Sequence, residues 1–320
     1  RIVGSPCSRH LRTPLYRYQC CRSFLDPGLV AELIPLAEIG PLELGEGPVW
    51  NSHRQELSFV DIFQKKIYRI MFNGTELAGL SSIDVGSDVG AALPLRDGGF
   101  VTCQRDGIIT VNDAGDPSVV CALPGGGPTM RANDAKLAPD GSLWVGVMDD
   151  GATPGKGSLW RVWRDGSSEC LLADLTIPNG LDWWDNEFWF VDGPREELTC
   201  YEWDGYSLGP QKRVLSTNGI PDGLSIGADG TLYLALWGEA RIDAINRHGT
   251  LRESLKVPAP HATSLAFIGP SLDSIAITTA TFALAEADRE QFPNSGRVFV
   301  GHKLARGREQ HHVWRERSRL

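Results

Sequence analysis

The sequence contains no run of the ~18 apolar residues that a membrane-crossing helix needs, so no membrane partner is expected. It also shows no apolar core of a secretory leader near its start. Positive charge is in short supply: 31 Lys and Arg stand against 40 Asp and Glu, a formal net charge of −9. That balance argues against nucleic acid as the main partner, because phosphate binding needs a basic surface. It suits a neutral or cationic ligand, or a metal ion held by carboxylates. Histidine is sparse and scattered, so a histidine-rich zinc site is not indicated. The seven cysteines show no zinc or redox spacing. They read as free thiols of a reducing compartment, and the expected location is cytoplasmic. Long helical periodicities are missing as well.

What is present is turn-forming residues in quantity. The 36 glycines and 20 prolines are spread along the chain, which fits many tight turns better than disorder. The two ends differ from the middle. Residues 1–29 carry Arg1, Arg9, Arg12, Arg17 and Arg22 against the single acid Asp26, and read as a disordered basic extension. Residues 303–320 read as a basic tail with little to bury. The folded domain is expected over residues 30–302.

Within that domain a unit recurs. Val49-Trp50 leads to Leu57-Ser58-Phe59-Val60, and Leu93-Pro94-Leu95 leads to Gly99-Phe100-Val101. The same plan returns at Leu137, Leu181, Leu224 and Leu265, giving steps of 44, 44, 44, 43 and 41 residues. Each unit has an alternating strand, a polar turn such as Pro139-Asp140-Gly141, and a second apolar strand, which together sign a β-hairpin. Further strands follow, for example Lys66-Ile67-Tyr68-Arg69-Ile70. About four strands per ~44 residues is the size of a propeller blade. The predicted fold is therefore all-β, a six-bladed β-propeller with about four antiparallel strands per blade. A two-sheet sandwich would not predict six equal units. The ten Trp, six Tyr and eleven Phe are read as packing between blades.

In a propeller the first strand of each blade lines the central channel, so residues just before those strands converge at one mouth. Glu46 precedes Val49, Asn133 and Asp134 precede Leu137, Asn179 precedes Leu181 and Asp222 precedes Leu224. Oxygen donors of these types suit hard cations. Singly, Asn179-Gly180 and Asp222-Gly223 are ordinary turn formers. The functional case comes from their shared register. Two other patterns are discounted. Gly223-Leu224-Ser225-Ile226-Gly227 matches a serine-hydrolase motif, but Ser225 falls inside a predicted strand. Gly125-Gly126-Gly127 lacks the residues of a phosphate loop. Asp61 and Asp192, at the ends of second strands, are expected to bind blade loops.

At these positions the sequence resembles the SMP-30/gluconolactonase family of regucalcin-like lactonases. The matching motifs are Gly45-Glu46-Gly47-Pro48-Val49-Trp50, Arg131-Ala132-Asn133-Asp134, Asn179-Gly180-Leu181-Asp182-Trp183 and Ile220-Pro221-Asp222-Gly223-Leu224. They lie in order within a stretch from about residue 38 to 302. The resemblance implies a six-bladed propeller holding one divalent metal ion, with Glu46, Asn179 and Asp222 as ligands. Ca²⁺ is the expected ion, with Mn²⁺, Mg²⁺ or Zn²⁺ as alternatives. It also implies that Arg131 and Asn133 bind substrate, and that the substrate is a small sugar lactone. The glutamate that binds sugar hydroxyls in some members is matched here by Gly151, and Asp150 is the expected substitute.

The expected reaction is metal-dependent ring opening of a sugar lactone to the sugar acid, with Asp222 as general base. No obligate protein partner is expected. Hydrolysis of another ester or lactone, and a non-catalytic propeller used as a metal-binding scaffold, remain as alternatives.

Overall fold

The computed structural model describes residues 32–72, 77–302 and 304–317, so the basic segment 1–29 lies outside the described residues. The described chain starts with the short strand β1 (Ile34–Pro35). Six four-stranded antiparallel sheets account for all the described strands, β1 included. The first blade holds β2 (Gly45–Asn51), β3 (Glu56–Asp61), β4 (Lys66–Phe72) and β5 (Leu77–Asp84). The second holds β6 (Val89–Pro94), β7 (Phe100–Gln104), β8 (Gly107–Val111) and β9 (Pro117–Cys121). The third holds β10 (Met130–Leu137), β11 (Leu143–Asp149), β12 (Gly157–Val162) and β13 (Ser168–Leu175). The fourth holds β14 (Pro178–Trp184), β15 (Glu187–Asp192), β16 (Glu197–Trp203) and β17 (Leu208–Ser216). The fifth holds β18 (Ile220–Ile226), β19 (Leu232–Trp237), β20 (Arg241–Ile245) and β21 (Leu251–Lys256). The sixth is built from β22 (Ala262–Ile268), β23 (Ser274–Thr279), β24 (Phe299–His302) and β1.

The inner strands touch in the cycle β2, β6, β10, β14, β18, β22 and back to β2, which makes the sheets a closed ring. The expected six-bladed propeller is the observed fold. Closure is completed by β1, which pairs with β24 through Ile34 opposite Val300 and Pro35 opposite Phe299. The sixth blade therefore joins the two ends of the repeat, with β1 as its outermost strand.

Burial falls from the channel outwards, and the sequence explains why. Inner and second strands such as β6 and β7 are buried along their whole length, whereas the outer strands β5, β9 and β21 are largely exposed. The apolar runs that set the repeat are these first two strands, packed on both faces by neighbouring blades. Trp144 sits between Trp183, Phe188 and Trp203 with ring centroids 5.1, 4.6 and 5.5 Å away. Aromatic pairs of this kind contribute about 0.5–1.5 kcal/mol each beyond their buried area.

The hairpin turns obey their sequence. Asp140 Oδ1 accepts a hydrogen bond from Ser142 N at 2.9 Å, and Asp229 Oδ1 accepts one from Thr231 N at 3.0 Å. Asp61 accepts hydrogen bonds from Glu43 N and Leu44 N at 2.7 and 3.2 Å. Asp192 does the same for Thr176 N and Ile177 N at 3.1 and 2.8 Å. Both aspartates thus fasten the loop that leads into an inner strand, as their sequence position suggested.

The reading of residues 303–320 as having little to bury is corrected. Residues 304–317 lie across the hairpin turns where the inner strands end. Backbone bonds run from Ala228 N to Arg306 O (2.8 Å), Gly307 N to Leu272 O (2.7 Å), Arg96 N to His312 O (2.8 Å) and Arg315 N to Gly141 O (2.8 Å). Trp314 is 3% exposed and its Nε1 donates to Val162 O at 3.2 Å. The segment pairs with irregular turns through its backbone, so no alternation marks it in the sequence.

Candidate active site

Each inner strand carries one β-bulge at the same height. In β2 the register passes from Glu46–Val60 to Val49–Ser58, so three steps on the inner strand face two on its partner. β10 slips between Ala132 and Ala135, β14 between Asn179 and Leu181, and β18 between Pro221 and Leu224. β6 and β22 slip at the corresponding positions, Val89/Ala91 and Ala262/Ser264. The polar residues were expected just before these strands; they lie inside them, at the bulge. An extra residue breaks the alternation and re-aims a side chain, a common arrangement beside active sites.

Gly180 and Gly223 were weighed as turn formers, but both lie in strands. Close approach is what they permit. A Cβ on Gly180 would stand 2.5 Å from Asp222 O. β14 and β18 can therefore come together at the bulge only because residue 180 has no side chain.

The site residues are buried: Glu46, Arg131, Asn133, Asn179 and Asp222 are 8, 7, 7, 8 and 5% exposed. Polar groups so deep need partners. Asn133 Nδ2 donates to Asn179 Oδ1 and to Pro178 O, the latter at 3.0 Å. Asn133 Oδ1 in turn accepts from Arg131 Nη1 at 2.7 Å. One chain of hydrogen bonds thus links Arg131, Asn133 and Asn179 across two blades. Among the described residues, Glu46 accepts only a local bond, from Gly47 N at 3.1 Å.

The carboxyl groups of this region are electrostatically unsatisfied. Burial, and then the neighbouring Asp134, push the Glu46 carboxyl up to about 8, against the opposing pull of Gly47 N–H and Arg131. Burial, then Glu46 and Asp134, raise the Asp222 carboxyl well above its ordinary value. Burial lifts Asp134 to about 6 although Lys136 and Ala135 N–H oppose it. Burial also lowers the Arg131 guanidinium from its ordinary value, while Asp150 and Glu46 support its charge. The buried Glu46 and Asp222 and the half-buried Asp134 therefore face one another's fields, with Arg131 as the opposing cation close to Glu46 and Asp222. A bound cation is the charge such a set lacks.

The donor chemistry fits a hard divalent ion. Glu46 and Asp222 offer carboxylate oxygens and Asn179 an amide oxygen. Among the described residues, no group of three or more His, Cys, Asp or Glu forms a metal cage by itself. The set here is mixed, two carboxylates and one amide. Asp134 was noted in the sequence without a role; the structure makes it the third acid of the group, lining the channel below the bulges together with Val49, Leu181 and Leu224. Gln310 of the C-terminal segment lines the same space.

Asp150 is placed differently. Its Oδ1 and Oδ2 accept from Arg105 Nη2 and Nη1 at 2.7 and 3.0 Å. Arg105 also binds Asp88 Oδ2 at 2.8 Å and Met130 O at 3.2 Å. Arg105 escaped the sequence reading because Gln104-Arg105-Asp106-Gly107 looks like any hairpin turn. Ser225, in the discounted hydrolase motif, donates to Leu265 O at 2.8 Å from within β18 and is no exposed nucleophile.

The described cysteines Cys103, Cys121, Cys170 and Cys200 are free. No helix among the described residues is long and apolar enough to cross a membrane.

Comparison with known proteins agrees with this geometry. Residues 44–281 match the family described as SMP-30/Gluconolactonase/LRE-like region. A Bacillus subtilis protein named as a candidate sugar lactone lactonase, YvrE, is 31% identical over 266 residues, covering 80% of this chain and 90% of that protein. Pentonolactonase XacC of Haloferax volcanii is 28% identical over 282 residues, covering 83% of this chain and 93% of its own length. The solved structure of a luciferin-regenerating enzyme superposes with a TM-score of 0.82 at 27% identity, covering 89% of this chain and 99% of that one. With its fold, its motifs and most of its length shared in this way, the chain belongs to the SMP-30/gluconolactonase/LRE-like family.

Proposed function

We propose that this protein hydrolyses a sugar lactone to the sugar acid with the help of one divalent metal ion. The observation that carries the reading is the set of inner-strand bulges that bring Glu46, Asn179 and Asp222 to one buried level of the channel. The lactonase names of the Bacillus and Haloferax relatives support the reaction class.

Glu46, Asn179 and Asp222 would hold the ion, Ca²⁺ in the first place and Mn²⁺, Mg²⁺ or Zn²⁺ otherwise. When bound, such an ion supplies Lewis acidity toward a carbonyl and toward water. The remaining work falls to the side chains. Asp222 accepts a proton from the attacking water as the C–O bond to carbon forms, and returns it to the ring oxygen as the ring C–O bond breaks. Arg131 and Asn133, already joined by a 2.7 Å hydrogen bond, orient the lactone and face the charge that develops on its carbonyl oxygen. Asp150 contributes at the rim as part of its pair with Arg105, which leaves it fewer free acceptor sites for hydroxyls than a lone carboxylate has.

The test is proton release from glucono-, galactono- and xylonolactones by chelated protein, before and after each metal is restored. Activity lost with chelator and regained with one ion supports the proposal. A folded protein that binds an ion yet opens no lactone would overturn the reaction, and one that binds no ion would favour a scaffold.

A further inference from the structure

The mouth of the channel has two chemically different sides. The blade two and three side is charged, with Arg105 tied to Asp88 and Asp150 beside Arg131. The opposite side is aromatic. The Arg131 guanidinium lies 5.8 Å from the Phe63 ring centroid, and Phe63 packs on Phe282 at 5.0 Å. His261 Nδ1 is 3.0 Å from Phe282 O, and the His261 ring stacks on Trp237 at 4.0 Å and 14°. All four residues lie at the strand ends nearest the bulges: Phe63 follows β3, Trp237 ends β19, His261 precedes β22 and Phe282 follows β23.

This wall is held in place, with His261 buried, Phe63 and Trp237 half-buried and Phe282 exposed. Phe282 N donates to Glu43 O at 2.7 Å and Leu284 N to Thr281 O at 3.2 Å, pinning the turn from both sides. Ala283, next in the chain, has φ of 56°, a left-handed conformation that a residue with a Cβ rarely adopts. Phe282 is nonetheless 45% exposed. Burial lowers the His261 imidazole below its ordinary value, so the wall is neutral at pH 7. Meanwhile the groups that could read sugar hydroxyls are reduced: residue 151 has no side chain, and both Asp150 oxygens are bound to Arg105.

We propose that Phe63, Phe282, His261 and Trp237 determine specificity by receiving an apolar alkyl or aryl substituent on the lactone ring. The inference rests on the lactonase reading and sharpens it: the favoured substrate is a lactone with one hydrophobic arm, not a fully hydroxylated aldonolactone. The ring carbonyl faces Arg131 and Asn133 while the arm lies along the wall. No step of the hydrolysis changes.

The experiment compares kcat/KM for γ-phenyl-γ-butyrolactone and glucono-δ-lactone in the metal-restored wild type and in Phe282→Ser. Calorimetric binding of the matching phenyl-substituted γ-lactam, which is not an ester, is measured in parallel. Thermal melts establish that the variant, altered at a half-exposed position, is folded; if it is not, Phe282→Leu replaces it. The expected result is a wild-type preference for the phenyl lactone that falls about tenfold in Phe282→Ser, with lactam binding weakened in step. A preference for glucono-δ-lactone that the substitution leaves unchanged would overturn the inference while the lactonase reading stands. Lactam binding that depends on Phe282 without hydrolysis of either lactone would keep the wall's ligand chemistry and remove the reaction. Absence of both removes both.

Discussion

Asn133 donates a hydrogen bond to Asn179 across the boundary between the third and fourth blades, while its own oxygen is held by Arg131 at 2.7 Å. One amide thus connects a proposed substrate-binding arginine with a proposed metal ligand. Its orientation is set from both ends, because Nδ2 also reaches Pro178 O at 3.0 Å. Removing it in Asn133→Ala leaves Arg131 held by Ala132 O and the Phe63 ring alone, and takes away the bond that Asn179 Oδ1 accepts. Loss of an outer partner of this kind typically lowers metal affinity or activity about 10–100-fold. The expected outcome is weaker Ca²⁺ binding by calorimetry together with reduced kcat/KM, and a thermal midpoint little changed in the metal-free protein.

Asp222→Ala should abolish metal-dependent lactone opening. The same substitution removes a buried acid that Glu46 and Asp134 repel, so the metal-free protein should not lose stability. Chelated wild type and variant are compared in thermal melts, and proton release is followed with metal restored. Full activity in the variant would remove Asp222 from the mechanism.

The propeller was legible because its signal is repeated six times: apolar first and second strands, separated by turns such as Pro139-Asp140-Gly141, with a nearly constant step. The shared level of Glu46, Asn133, Asn179 and Asp222 was legible for the same reason. The bulges were not, because an extra residue looks like the end of alternation, and the strands were started too late. The grip of Arg105 on Asp150 was not legible either, since it joins residues 45 apart in sequence through two loops. Residues 304–317 hid their role because their backbone bonds go to turns and only a few large apolar side chains mark them.

Gly180 is needed for close approach, since a Cβ there would meet Asp222 O at 2.5 Å. Gly180→Ala should push β14 from β18, destabilising the protein by about 1–3 kcal/mol. Because the clash is at the backbone of Asp222, metal affinity should fall as well. Urea melts and metal titration check the two effects, and a fully stable variant with native metal affinity would contradict the packing argument.

Trp314→Ala tests the C-terminal segment. Trp314 packs in the cluster that contains Leu137, Leu143 and Val162, between the second and third blades. Truncating a buried tryptophan costs about 3–5 kcal/mol. The urea midpoint should drop accordingly. Removing residues 304–320 altogether should cost at least as much, since the turns at Arg96, Gly141 and Ala228 lose their backbone partners.

Asp182 couples this segment to the blades and sets an acid limit on stability. It accepts from Ile226 N and Trp183 N, each at 2.9 Å, and pairs with Lys136 and Arg308, each at 3.2 Å. Burial works to raise its carboxyl, but Lys136, Arg308 and the two backbone N–H groups outweigh it, and the net direction is below the ordinary 3.8. A carboxyl depressed in the folded state binds fewer protons there than in the unfolded chain around its ordinary value. Its contribution is therefore complete above that value and is lost as pH falls through the depressed folded one. Wild-type stability should decline on acidification below about pH 4 with a component that Asp182→Asn removes. At pH 7 the same variant leaves Arg308 without its counter-charge and Lys136 with Asp134 alone, and should be less stable by about 1 kcal/mol. Urea melts of both proteins across that pH range give the two slopes; equal slopes would show that Asp182 carries no linkage.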